Sequence, residues 1–180
     1  MTRNLTSTEL KRLHRTWRAP TTRRLALLLD GVQTPFNVGA ILRTAAAYRV
    51  DHLWLCGPTA SPTDAKTQKT ALGSQKYLTW TIVDSADEAG AQALAAGYHL
   101  VGVELAEGAR PLFDLDLDRD VCLAVGHEDR GLSTVCLDAC QDLGFLPLLG
   151  KIGSLNVATA ASMAMYEARR QNWQPPPAGA

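Results

Sequence analysis

Short apolar runs alternate along the chain with segments in which apolar residues recur at helical spacing. Five runs have the length and composition of buried strands: residues 25–29, 52–55, 99–103, 121–125 and 143–146. Helical spacing marks the stripe formed by Val38, Ile41, Leu42 and Ala45, the alanine-rich stretch 86–95, and residues 155–170. Strands that alternate with helices are typical of an α/β fold. We therefore predict a mostly parallel sheet with helices on both faces.

Three further segments depart from this alternation. Residues 57–76 are rich in Thr, Ser, Pro and Lys, which predicts a functional loop with one helical turn near residues 67–72. Residues 173–180 contain three consecutive prolines and are predicted to be a disordered or polyproline-like tail. Residues 1–24 precede the first predicted strand. The sequence thus divides into an arm (1–24), one domain (25–172) and a tail (173–180).

Charge is balanced over the 180 residues but is unevenly placed. The arm carries seven Lys and Arg residues against one acid, Glu9, which is typical of a segment that binds a polyanion. An organelle transit peptide is an alternative interpretation of this arm. Leu10, Leu13 and Trp17 lie at helical spacing, so the arm also fits a helix that docks on the domain or one whose charged face is simply solvated.

Composition excludes several other classes of protein. With 46% hydrophobic residues, the chain is expected to form one soluble globular domain, and no apolar run approaches the roughly 18 residues of a membrane span. Four cysteines form no Cys-x-x-Cys pair, and the two that lie four residues apart, Cys136 and Cys140, lack a nearby histidine. We therefore interpret all four as small core residues and predict no metal site: Cys56, Cys122, Cys136 and Cys140. Free cysteines without a secretory signal favour the cytoplasm.

Polar and glycine residues follow three of the predicted strands, at the end of the sheet where α/β proteins bind ligands. No Gly-x-Gly-x-x-Gly or Walker-type loop is present, which argues against a Rossmann oxidoreductase or a P-loop enzyme. Taken singly, these residues have structural explanations. Asn37 would cap a helix beginning at Val38, Glu128 would cap a nearby helix, and Ser154 and Asn156 would open the last one. Arg43 lies off the apolar stripe, so we expect it to be exposed.

Their order and spacing resemble the SpoU (TrmH-like) branch of the SPOUT RNA methyltransferases, over about residues 25–171. The resemblance rests on Asn37 and Arg43, on Gly126-His127-Glu128-Asp129-Arg130-Gly131, on Ser154-Leu155-Asn156-Val157, and on the Gly73-Ser74 element. It implies a C-terminal trefoil knot, a homodimer with its site beside the subunit interface, and S-adenosylmethionine as cofactor. The cofactor residues implied are Val103, Glu104, Leu105, Gly126, Leu146, Leu148, Ser154 and Leu155.

The reaction implied by the resemblance is methylation of a ribose 2′-OH in tRNA or rRNA. The catalytic residues implied are Asn37, Arg43, Glu128, Ser154 and Asn156. In this family, the arginine at the position of Arg43 is often assigned the role of base, but a guanidinium stays protonated in proteins. We therefore expect Arg43 to clamp the adjoining phosphate or to stabilise the forming alkoxide, with a phosphate or water accepting the proton.

RNA contact would extend over the basic arm and over Lys66, Lys69 and Lys76, because lysines attract the phosphate backbone. Two alternatives to the enzyme remain at this point. One is a protein of the same fold that binds RNA or S-adenosylmethionine without turnover, and the other is a nucleotide-dependent oxidoreductase. The intact set of catalytic residues argues against the first, and the absent glycine fingerprint against the second.

Overall fold

The computed structural model describes residues 2–16 and 22–173 and places seven parallel strands in one sheet. The strands are β1 (Leu25–Asp30), β2 (His52–Cys56), β3 (Trp80–Val83), β4 (His99–Val103), β5 (Arg110–Pro111), β6 (Val121–Gly126) and β7 (Asp142–Phe145). Their order across the sheet is β3-β2-β1-β6-β4-β7-β5. The predicted parallel sheet is confirmed, while the trefoil knot stays a prediction.

Within the described ranges, six α-helices precede, connect or follow the strands: α1 (Ser7–Thr16), α2 (Pro35–Ala47), α3 (Ala65–Ala71), α4 (Ala86–Ala95), α5 (Thr134–Ala139) and α6 (Val157–Asn172). Alternate residues of β1 point to opposite faces of the sheet, as pleating requires. Leu27 and Leu29 belong to the core under α2 and α6, and Ala26 and Leu28 to the core under α4 and α5. Helices on both faces are therefore confirmed. No helix of the described ranges is long and apolar enough to cross a membrane.

The structure differs from the sequence prediction mainly at the edges of the sheet. Strands β3 and β5 were not predicted, because β5 has two residues and β3 interrupts its apolar run with Thr81. Ile82 of β3 is 60% exposed, as an edge strand allows. The segment 57–76 is more regular than predicted, since it contains α3 and the start of a 3₁₀ turn, Ser74–Tyr77.

A buried arginine connects α6 to the sheet and to α2. Arg169 is 4% exposed and donates hydrogen bonds to three backbone carbonyls, those of Tyr48 (2.8 Å), Arg23 (2.9 Å) and Arg49 (2.6 Å). Tyr48 and Arg49 follow the last residue of α2, where carbonyl groups lack partners within the helix. Arg169 therefore caps the C-terminal end of α2 from another helix, because it donates hydrogen bonds to these carbonyls.

The described parts of the N-terminal arm differ in their exposure and in their contacts with the domain. Helix α1 leaves Leu10 and Leu13 about two fifths exposed, and Trp17 lies outside the described residues, as does the tail beyond 173. Arg23 pairs with Asp118 (3.2 Å) and Arg24 with Asp120 (2.7 Å). These two ion pairs join the end of the arm to the domain.

Candidate active site

A cavity of about 640 Å³ lies where β4, β6 and β7 end, within the usual size range of small-molecule sites. Every residue predicted to hold the cofactor lines it: Val103, Glu104, Leu105, Gly126, Leu146, Leu148, Ser154 and Leu155. Ile152, which was not predicted, also lines the cavity and is 66% exposed. An apolar residue between Gly150 and Gly153 was the available signal, since glycines let a loop approach a ligand.

A tight turn between Gly126 and Gly131 shapes one wall of this cavity. His127 and Gly131 exchange backbone hydrogen bonds of 2.9 Å in both directions, so the chain folds back on itself. A Cβ on Gly126 would collide with the backbone of Gly131, which is why this position requires glycine. Behind the turn, the Glu104 carboxylate accepts the Leu132 N–H at 3.1 Å and holds the returning chain against β4.

The turn presents Glu128 to the start of α2. The Glu128 carboxylate accepts hydrogen bonds from the backbone N–H groups of Gln33 (3.3 Å) and Thr34 (3.0 Å) and from the Asn37 Nδ2 (2.9 Å). A carboxylate there accepts hydrogen bonds from N–H groups that would otherwise lack a partner, and the positive end of the helix dipole stabilises its charge. Glu128, a residue of the cavity wall, thereby fixes α2 in place.

The side-chain amide of Asn37 also forms a hydrogen bond that connects α2 to α6. Asn37 Oδ1 accepts a hydrogen bond of 3.0 Å from Asn156 Nδ2, and Asn156 Oδ1 caps α6 by accepting the N–H groups of Ala158 (3.0 Å) and Thr159 (3.3 Å). The prediction that Asn156 stands at a helix start is confirmed. Three of the predicted catalytic residues, Asn37, Glu128 and Asn156, form one continuous hydrogen-bond network.

The predicted capping role of Asn37 is wrong in one respect. Helix α2 begins at Pro35 with Thr34 as its N-cap, so Asn37 lies inside the first turn instead of before it. Proline is well suited to the first position of a helix, because its missing N–H has no partner there in any case. The side chain of Asn37, 4% exposed, is thus free to pair with other side chains.

Electrostatics keep Glu128 ionised. Partial burial raises the pKa of this carboxyl, but the hydrogen bonds from Asn37, from its own backbone and from Thr34 outweigh that effect and lower the pKa to about 2. Glu128 is therefore a permanent acceptor at neutral pH and holds no transferable proton. Its chemistry is that of a positioning group and a negative charge.

His127 is also held in one hydrogen-bonding state by the turn. Its Nδ1 accepts the N–H of Asp129 at 3.0 Å, which leaves the ring proton of the neutral form on Nε2. A nitrogen that carries a proton cannot remove one from a substrate. The structure thus gives no support to His127 as a general base.

Arg43 lies apart from the cavity. It is exposed, as predicted, and makes no hydrogen bond or ion pair with any residue in 2–16 or 22–173. It is not among the residues lining the cavity, so the structure brings Ser154 and Glu128 to the cavity wall but not Arg43. On a helix of 3.6 residues per turn, Arg43 shares the outer face of α2 with Phe36, which is 65% exposed.

Comparison with known proteins agrees with this geometry. A model of the SpoU rRNA methylase family matches residues 24–166. An uncharacterised tRNA/rRNA methyltransferase from Synechocystis sp. is 34% identical over 162 residues, 87% of this chain and 57% of that protein. The 23S rRNA (guanosine-2′-O-)-methyltransferase of Acinetobacter baylyi is 33% identical over 82% of this chain and 60% of its own length.

Among solved structures, the SpoU methyltransferase AviRb from Streptomyces viridochromogenes, determined in complex with AdoMet, superposes with a TM-score of 0.75. It is 33% identical, and the match covers 86% of this chain and 60% of that one. The chain spans about three fifths of the length of these relatives. The residues that the family model matches include β1, the turn at Glu128 and most of α6. The chain therefore belongs to the SpoU rRNA methylase family.

Proposed function

We propose that this protein is an S-adenosylmethionine-dependent methyltransferase that acts on a ribose 2′-OH of ribosomal or transfer RNA. The observation that carries the proposal is the network of Glu128, Asn37 and Asn156, which joins the cavity wall to the helix that bears Arg43. A domain spanning residues 25–172 would contain the site, and the arm 1–24 would contact RNA. The names of the relatives support this substrate class.

The cavity fits S-adenosylmethionine in size and in chemical character. Leu105, Leu148 and Ile152 offer exposed apolar surface for an adenine ring. Glu104, Glu128 and Asp129 line the same cavity, and their negative charge suits a cationic sulfonium. Gly126 and Ser154 bring backbone groups to its wall. When bound, the cofactor supplies an electrophilic methyl group.

The chain's own residues then have separable tasks. Glu128 and Asn37 hold the start of α2 against the cavity wall, so the helix carrying Arg43 has a defined position. Arg43, with no partner among the described residues, is available to a phosphate or to a developing alkoxide on the ribose. A phosphate oxygen or water accepts the hydroxyl proton, because neither Arg43 nor Glu128 is suited to that task.

Methyl transfer to purified RNA tests the proposal. The protein is incubated with methyl-labelled S-adenosylmethionine and with separated tRNA or rRNA, and the product is hydrolysed in alkali. A 2′-O-methyl group blocks cleavage at its own nucleotide, so label is expected in dinucleotides. Label in mononucleotides would show a different methylated atom. RNA binding with no label in any fraction would favour the non-catalytic binding protein.

We expect S-adenosylhomocysteine to raise the melting temperature of the protein. A ligand that binds only the folded state stabilises it by about 2.7 kcal/mol at a hundred times its dissociation constant, or roughly 5–11 °C for a chain of this size. Differential scanning fluorimetry with a ligand titration measures the shift, and NAD serves as the control. An unchanged melting temperature at millimolar S-adenosylhomocysteine would contradict the assignment of the cavity.

We further propose that the protein acts as a homodimer through the outer faces of α2 and α6. Val157, Ala161 and Met165 of α6 lie in the chain's own core, so they are not available to a partner. The exposed apolar residues of these helices are instead Phe36, Met163 and Tyr166. Exposed apolar residues on the helix that carries Arg43 and on α6, which packs against it, favour an interface at these two helices.

The variant Met163→Glu is expected to convert the dimer to a monomer, because it introduces an unpaired charge into the proposed interface. Size-exclusion chromatography with light scattering measures the mass. Val135→Glu is the matched control, since Val135 is similarly exposed (51%, against 46% for Met163) but lies on α5, across the sheet. A wild-type monomer that retains full activity would contradict the interface.

The proposed compartment is the cytoplasm. The four cysteines are free thiols, and three of them are buried. Burial raises the pKa of the Cys56 thiol to about 12 and that of Cys122 well above its ordinary value, which makes both unreactive. Unpaired cysteines are typical of reducing compartments.

A further inference from the structure

A small exposed surface lies beside α2, formed by Lys69, Leu72, Lys76 and Tyr77, and is called here the Lys–Tyr patch. Tyr77 is 73% exposed and Leu72 is 68% exposed, which is unusual for side chains of this size. The ammonium group of Lys76 lies 5.0 Å from the centre of the Tyr77 ring. A flat aromatic surface with a cation beside it is thus presented to solvent.

The sequence around the patch carries more positive than negative charge. Residues 65–83 contain three lysines and no acidic residue, and residues 31–50, which include α2, contain two arginines and no acidic residue. The ranges are flanked by Asp64 and Asp84 and by Asp30 and Asp51, and Asp64 accepts a hydrogen bond from the Ser61 N–H at 3.2 Å. In a chain of zero net charge, this is a local excess of positive charge. Charge complementarity therefore points to an anionic partner.

Close packing fixes the patch relative to the proposed site. A Cβ on Gly39 would lie 2.6 Å from the Thr67 carbonyl oxygen and 2.6 Å from the Thr70 Cβ, so α3 rests directly on the backbone of α2. The 3₁₀ turn that carries Lys76 and Tyr77 also contacts α2. Arg43 lies on the same helix. The patch and Arg43 are therefore held in a constant geometry.

We propose that the Lys–Tyr patch binds unpaired RNA nucleotides that flank the methylated residue, with one base stacked on Tyr77. Lys69 and Lys76 contact the phosphates of the same strand. This inference rests on the proposed function, because it takes RNA as the substrate. Stacking distinguishes this patch from a purely electrostatic surface, because a base in a duplex has both faces covered and cannot reach the ring.

Binding of a 12-nucleotide single-stranded RNA and of a blunt 12-base-pair RNA duplex, measured by fluorescence anisotropy over a range of salt concentrations, tests the inference. Tyr77→Ala is expected to weaken binding of the single strand by about 5- to 150-fold, with little effect on the duplex. Tyr77→Trp is expected to restore it. Lys76→Gln is expected to reduce the salt dependence of single-strand binding by about 0.7 in the log–log slope, whereas Tyr77→Ala leaves the slope unchanged.

Phe113→Ala is the matched control, because Phe113 is another exposed aromatic residue (58%) on a 3₁₀ turn, Leu112–Asp114. Equal losses for Tyr77→Ala and Phe113→Ala, or equal losses on single strand and duplex, would overturn the patch while leaving the methyltransferase proposal intact. Dissociation of a dimer by Tyr77→Ala would overturn it also, since the patch would then bind a second copy of the chain. A wild-type protein that binds neither 12-mer would overturn the patch, whereas the methyltransferase proposal is decided separately by methyl transfer to purified tRNA or rRNA.

Discussion

Replacing Arg169 with alanine is expected to lower the free energy of unfolding by about 3–5 kcal/mol. The substitution leaves the partly buried carbonyl groups of Tyr48, Arg23 and Arg49 without their donor, and a polar group that loses its partner costs up to roughly 1–3 kcal/mol. It also empties a site in which the side chain is almost fully buried. Urea unfolding measures the change, and the melting temperature should fall by roughly 6–20 °C.

Arg170→Ala is the matched control for this prediction. Arg170 is the next residue of α6 and forms an ion pair with Glu167 at 2.7 Å, but its side chain is 54% exposed. Exposed ion pairs contribute only about 0–1 kcal/mol. The free energy of unfolding of Arg169→Lys is expected to lie between those of the two alanine variants, because lysine keeps the charge but loses the planar fork that reaches three carbonyls. Equal stability of Arg169→Ala and Arg170→Ala would show that the carbonyls find other partners.

Arg43→Ala is expected to reduce kcat for RNA methylation by on the order of 10²-fold or more, while stability changes by no more than about 0.5 kcal/mol. The side chain is exposed and has no partner in the described part of the chain, so little folding energy depends on it. Affinity for S-adenosylhomocysteine should stay near that of the wild type, because Arg43 is not part of the cavity wall. Single-turnover methyl transfer to bound RNA provides the measurement.

Arg43→Lys separates the two roles considered for the arginine. A guanidinium that clamps phosphate with two hydrogen bonds cannot be replaced by a point charge, so lysine would lose most of the activity. A charge that merely stabilises an alkoxide would be retained in part by lysine. Arg119→Ala controls for general loss of positive charge, since Arg119 precedes β6 at the other end of the sheet. Full activity of Arg43→Ala would remove the residue from the mechanism.

The central strands were predictable because they are buried on both faces and therefore read as continuous apolar runs. Strand β1 is such a run, and its five leading residues are all buried. Edge strand β3 carries no comparable signal, because one side of it faces solvent. The start of α2 was placed too late for a different reason: Pro35 was not recognised as its first helical residue.

The location of the candidate site was predictable from the sequence, but its hydrogen-bond network was not. The carboxyl ends of parallel strands meet at one edge of the sheet, which brought Val103, Gly126 and Leu146 to one cavity. Sequence spacing cannot tell that Asn37 bridges Glu128 and Asn156, because these residues are far apart in the chain. Arg169 gave no signal either, since a basic residue in the last turn of a helix is usually solvated.

The central position of β6 in the sheet also determines when this protein can fold during its synthesis. Leu25 of β1 pairs with Val121 of β6, so β1 lacks one neighbour until β6 has left the ribosome. At 5–20 residues per second, that interval lasts about 5–20 s. During this time β1, α2 and β2 can assemble, but one edge of β1 and its leucines stay uncovered. We therefore expect the nascent chain to bind chaperones before the cavity at the ends of β4, β6 and β7 is complete.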